Sequence, residues 1–123
     1  MKPDPNDPSL SVGVIGAGVM GRGIAQIAAA AGCRVSLSDV SEDAARDARA
    51  FASRMLLRQA EKGRITRAEA EAAVARVVLV PGLRDLADCT VVIEAVVEDL
   101  GVKQRLFAEL ETMVAETCVL ASN

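Results

Sequence analysis

Apolar positions along the chain alternate between two periods. Short runs of β-branched and small residues occur at residues 10–15, 34–39, 77–80, 90–95 and 118–121. Their length, and turn-forming neighbours such as Pro81-Gly82, mark them as strands. The run Thr90-Val91-Val92-Ile93-Glu94-Ala95 is almost continuously apolar, as in a parallel sheet covered on both faces. Between these runs the spacing becomes helical. Residues 19–31 put Ile24, Ile27, Ala28 and Ala31 on one face at i, i+3, i+4, i+7, the predicted buried face, and Gly32 stops the helix. Ser41, followed by Glu42 and Asp43, caps a helix that runs to Lys62 and ends at Gly63. Its predicted apolar stripe is Ala44, Ala48, Phe51, Ala52 and Met55. Thr66-Arg67-Ala68-Glu69 is a capping box that opens a shorter helix, so this crossover holds two antiparallel helices. A helical turn or loop over 83–89 and a helix over 99–116 complete the alternation. Strands separated by crossovers of this length predict an α/β fold, a doubly wound, mostly parallel sheet with helices on both faces. The proline-rich residues 1–10 read as an extended lead-in, and 11–123 as one domain.

The first strand leads directly into Gly16-Ala17-Gly18-Val19-Met20-Gly21, a Gly-x-Gly-x-x-Gly pattern at the start of a helix. Each glycine has its own task. Gly16 permits the sharp turn out of the strand, Gly18 removes the Cβ that would hold a pyrophosphate off the main chain, and Gly21 lets helix and strand approach. Amides at the helix start then face the phosphates. The second strand ends in Asp39, at about the separation (~20 residues) at which a carboxylate meets the adenosine ribose in such a unit. A carboxylate accepts hydrogen bonds from the ribose hydroxyls and repels a 2′-phosphate, so the pattern favours NAD over NADP. The plainer alternative is a tight strand–helix contact followed by a solvated turn acid.

Composition narrows the function classes. Net charge is −3 and aromatics are 2% of residues, with no Trp or Tyr, so neither a basic field nor stacking platforms favour nucleic acid. Cys33, Cys89 and Cys118 lie among apolar residues and the chain has no His, which points to buried reduced thiols rather than a metal site. No apolar run reaches membrane-spanning length and residues 1–8 lack a signal-peptide core, so a cytoplasmic protein is expected. Four strand ends, at Gly16, Asp39, 94–96 and 121–123, should share one rim, where ligands of open parallel sheets bind. Glu94, inside an apolar strand, is either a locally bonded strand-end carboxylate or part of the site. Arg54, Arg58 and Lys62 recur at i+4, as a phosphate-binding ridge or as a solvated face paired with Glu61.

Several blocks in order give a resemblance. Gly16 to Gln26, Glu61-Lys62-Gly63, Val92-Ile93-Glu94-Ala95-Val96-Val97-Glu98 with Val102-Lys103, and Leu120-Ala121-Ser122-Asn123 resemble the L-3-hydroxyacyl-CoA dehydrogenases. The resemblance implies a Rossmann-type fold in which Gly16, Ala17, Gly18, Val19, Met20 and Gly21 hold the NAD pyrophosphate and Asp39 its adenosine ribose. It implies that Glu98 and Lys103 lie near the nicotinamide ribose, and that Ala95 and Asn123 line the nicotinamide pocket. Lys62 would meet the coenzyme A phosphates of a 3-hydroxyacyl-CoA or 3-oxoacyl-CoA substrate, while a Ser contact of some relatives corresponds to Met55. Read without it, Glu98 and Lys103 also fit a helix-start acid and a solvated lysine. In the family the catalytic His, its Glu partner, and a Ser and Asn at the substrate oxygen follow the position of Asn123. So does a helical second domain that forms the homodimer. The chain is therefore expected to be the NAD-binding part, carrying no catalytic residue and not turning over alone. Another NAD-dependent β-hydroxyacid dehydrogenase and a non-catalytic NAD-sensing module are the alternatives.

Overall fold

A computed structural model describes residues 10–95, helical residues 104–105, 108–109 and 111–112, and the backbone of a last strand. In chain order the elements are β1 (Ser11–Ile15), α1 (Val19–Ala30), β2 (Arg34–Ser38), α2 (Glu42–Glu61), α3 (Arg67–Ala75), β3 (Val77–Leu79), a 3₁₀ turn (Leu83–Leu86), β4 (Val91–Glu94) and β5 (Val119–Ser122). The five strands form one sheet in the order β3-β2-β1-β4-β5, and every neighbouring pair is parallel. Strand order therefore runs outward from β1 in one direction through β2 and β3, then reverses through β4 and β5. The reversal lies between β1 and β4, where Ile15 is in register with Glu94.

The sheet divides the core. Val12, Val14, Val35, Leu37 and Val77 pack under α1, α2 and α3 with Ala25, Ala29, Ala45, Ala48, Leu56 and Ala73. Alternate strand positions point the other way, where Ile15 and Val92 meet Leu86 and Cys89. Gly13 lies on that second face, and a Cβ there would come within 3.0 Å of Leu86 Cδ2 and 3.1 Å of Cys89 Sγ. The strand residue is thus kept small by the 3₁₀ turn above it.

The helices start where their caps place them. Ser41 Oγ accepts from the Ala44 amide, and Thr66 and Glu69 exchange both bonds of the capping box. Two stripes differ from their prediction. Helix α1 buries Gly21, Ala25 and Ala29, while Ile27 is 71% exposed and Ala31 lies on the surface. Ile24 and Ala28, also on the predicted face, are half-buried and packed against the core, and the closest approach to the strand is at Gly21, where a Cβ would overlap the Gly16 carbonyl. Helix α2 buries Ala45, Ala48, Ala52 and Leu56, leaving Ala44, Phe51 and Met55 half-buried. Phe51 instead carries the Arg22 guanidinium over its ring at 4.2 Å, which joins α2 to the first turn of α1. The expected helix over 99–116 is helical at its described residues; its remaining positions, and the lead-in 1–9, lie outside them.

Candidate functional site

The carboxyl ends of the strands meet at one rim, because the register aligns Ile15 with both Ser38 and Glu94, and Glu94 with Ser122. The Gly16 amide donates to the Ser38 carbonyl at 2.8 Å and the Ala95 amide to the Ile15 carbonyl at 2.8 Å, so the three loops leave the sheet tied together. Gly16 has φ of 104°, a left-handed conformation that a side chain would strain. A Cβ on Gly21 would overlap the Gly16 carbonyl oxygen, so α1 can start this close to the strand only with glycine there.

Gly18 is different. It is the N-cap of α1, makes no side-chain cap bond, and a Cβ on it would meet nothing within 4 Å. Packing does not require glycine at this position. Val19 and Met20 beside it are exposed, at 77% and 51%.

Asp39 closes the turn from the second strand. Its Oδ2 accepts from the Ala17 amide at 2.8 Å and its Oδ1 from the Ser41 amide at 2.8 Å. One carboxylate thereby fixes the glycine turn to the start of α2 and keeps acceptor capacity for a further ligand, since an ionised carboxylate has about four lone-pair sites. Asp39 also lines a cleft of about 400 Å³ with Val40, Glu42, Arg46, Leu79, Val80 and Pro81. Sequence reasoning missed this cleft. Its walls come from the ends of β2 and β3, whose adjacency needs the strand order; the only signal was the pair of apolar runs each broken by turn residues.

These features fit a dinucleotide. Open space lies over a glycine N-cap, a carboxylate sits beside it at the end of β2, and a cleft adjoins that carboxylate. A model of the 3-hydroxyacyl-CoA dehydrogenase NAD-binding domain matches residues 11–123. The chain belongs to that family. The 3-hydroxybutyryl-CoA dehydrogenases of Bradyrhizobium diazoefficiens and Mycobacterium tuberculosis are 44% identical over 112 residues and 40% over 119. Those matches take in 91% and 96% of this chain but 38% and 42% of the relatives, so the chain spans about two-fifths of their length. The structure of the Escherichia coli 3-hydroxybutyryl-CoA dehydrogenase superposes with a TM-score of 0.89 at 36% identity, over 94% of this chain and 24% of that one. Mycobacterium tuberculosis FadB2 gives 0.86 at 41% identity, over 95% and 41%. The fold is thus the dehydrogenase family's Rossmann domain, and NAD is its cofactor.

The structure brings some of the family's expected residues together and separates others. Gly16 to Gly21, Asp39 and Ala95 share the rim, as the register and hydrogen bonds above require. Glu98, Lys103 and Asn123 lie outside the described residues. Lys62 is exposed at the C-cap of α2, twenty helical residues from the rim end of that helix. At about 1.5 Å per residue this is roughly 30 Å away, so Lys62 does not share the rim with the glycine turn. Arg54 and Arg58 are exposed along the same helix. Glu94 is fully buried at the end of β4, on the strand that flanks the reversal point. Cys33 and Cys89 are buried free thiols, and among the described residues no cluster could hold a metal ion. Burial raises the Cys89 thiol above its ordinary value, only partly offset by hydrogen bonds from Ser11 and Ser36. Among the described residues, no helix is long and apolar enough to cross a membrane.

Proposed function

We propose that this chain is the cofactor-binding portion of a (3S)-3-hydroxyacyl-CoA dehydrogenase. What carries the reading is the pairing of a glycine N-cap that packing leaves open with a carboxylate bonded to the same turn. In this reading Gly16, Ala17, Gly18, Val19, Met20 and Gly21 surround the pyrophosphate, and Asp39 accepts from the adenosine ribose. The cleft from Val40 to Pro81 takes the adenine, whose faces Val40, Leu79 and Val80 cover. Ala95, Glu98, Lys103 and Asn123 attend the nicotinamide end, and Lys62 the coenzyme A phosphates. NAD, when bound, supplies a hydride acceptor for the carbon that bears the 3-hydroxyl. This chain's part is to hold and orient that acceptor. The accompanying proton transfer needs a carrier, most often His, and the sequence contains none.

The test is a chimera in which these residues replace the matching part of the Bradyrhizobium relative. The reading expects oxidation of (S)-3-hydroxybutyryl-CoA with NAD, no turnover by the 123 residues alone, and a raised KM for acyl-CoA with unchanged KM for NAD in K62A. A folded chimera that binds NAD but leaves the acyl-CoA untouched would refute the substrate assignment.

A further inference from the structure

Two main-chain amides from different loops converge on Asp39, those of Ala17 and Ser41, each at 2.8 Å. Converging amides of this kind are how a backbone holds an anion, and here the anion is the protein's own. Arg46 lines the same cleft, and its guanidinium lies 3.5 Å from Glu42 Oε2 and 3.5 Å from Asp43 Oδ1. These side chains are 65%, 82% and 91% exposed, so both ion pairs are weak and readily exchanged. We infer that Arg46 is a latent ligand for a ribose 2′-phosphate, withheld from it by two arrangements. Asp39 occupies the backbone donors and repels the phosphate, and Glu42 with Asp43 holds the guanidinium aside.

The chemistry favours this assignment over a purely surface role for Arg46. A phosphate dianion is a stronger acceptor than two solvated carboxylates, and the guanidinium fork matches it in two contacts at once. With a shorter neutral side chain at position 39, the amides of Ala17 and Ser41 become available, and Arg46 is the cation lining the cleft. The proposal rests on the reading that Asp39 faces the adenosine ribose, so its test must separate the two.

The experiment titrates the 123-residue chain with NAD and with NADP and reads the ratio of their affinities. The unaltered chain prefers NAD. D39S should raise the NADP-to-NAD affinity ratio roughly tenfold or more, and adding R46Q should remove about tenfold of that gain, the effect of one charge-assisted contact. The E42Q/D43N variant, which keeps every hydrogen bond of Asp39, should raise the ratio severalfold, and adding R46Q to it should cancel that gain, which decides the matter if D39S does not fold. An unchanged ratio on adding R46Q to D39S, or in E42Q/D43N, would overturn the role of Arg46 while leaving NAD binding standing. Failure of the unaltered chain to bind NAD would instead overturn the underlying reading.

Discussion

At the level of single residues, the two inner glycines of the turn differ in what they are for. Gly21 is excluded from carrying a Cβ by the Gly16 carbonyl, which is backbone and cannot swing away. G21A should therefore destabilise the fold by about 1–3 kcal/mol, the usual cost of overpacking, read as a lower urea midpoint. Cys89 gives a pH dependence. Its thiol is raised by burial, so the unfolded chain releases that proton first. The stabilising contribution is complete below the unfolded thiol's pKa of about 8.5 and is lost as pH rises through the raised folded value. The stability of the unaltered chain relative to C89A should fall between neutral pH and about pH 10, as measured by urea midpoints. The roles of Gly16 and Gly21 were legible because backbone geometry leaves few residues able to stand there. Arg46 drew no attention in the sequence, since an arginine in the second turn of a helix has no spacing that distinguishes it from any solvated cation.

Among the elements, caps were read well and buried faces less so. Ser41 and the Thr66–Glu69 box act through their own backbone a few residues away, so local sequence determines them. T66A should cost about 1 kcal/mol in global stability. The face of α1 was read only in part: Ile24 and Ala28 pack half-buried against the core, but Gly21, Ala25 and Ala29 take the fully buried positions, where a Cβ at Gly21 would already overlap the Gly16 carbonyl, and Ile27 stays exposed. Periodicity says which residues prefer burial; distance between layers says which can have it. Leu56, 1% exposed and packed with the α1–α3 core, was outside the predicted stripe of α2. L56A should lose about 2–5 kcal/mol, so this one substitution tests whether the observed face, rather than the predicted one, is buried. Thermal unfolding of L56A beside M55A, with the larger loss in L56A, is the comparison to make.

For the molecule as a whole, the alternation of strands and crossovers was enough to anticipate a parallel sheet and a common rim. Strand order was what it could not supply, and the cleft between the ends of β2 and β3 follows from order alone. The rim is also where fold and chemistry separate, since a Cβ on Gly18 would meet nothing within 4 Å and packing does not demand glycine there. The most direct measurement is therefore a calorimetric titration of NAD into the chain and into G18A, with the thermal midpoint of each. The account predicts that NAD binds the chain, that G18A binds at least about tenfold more weakly, and that the two unliganded midpoints agree. Equal NAD affinity in G18A, or no binding by the unaltered chain, would contradict it.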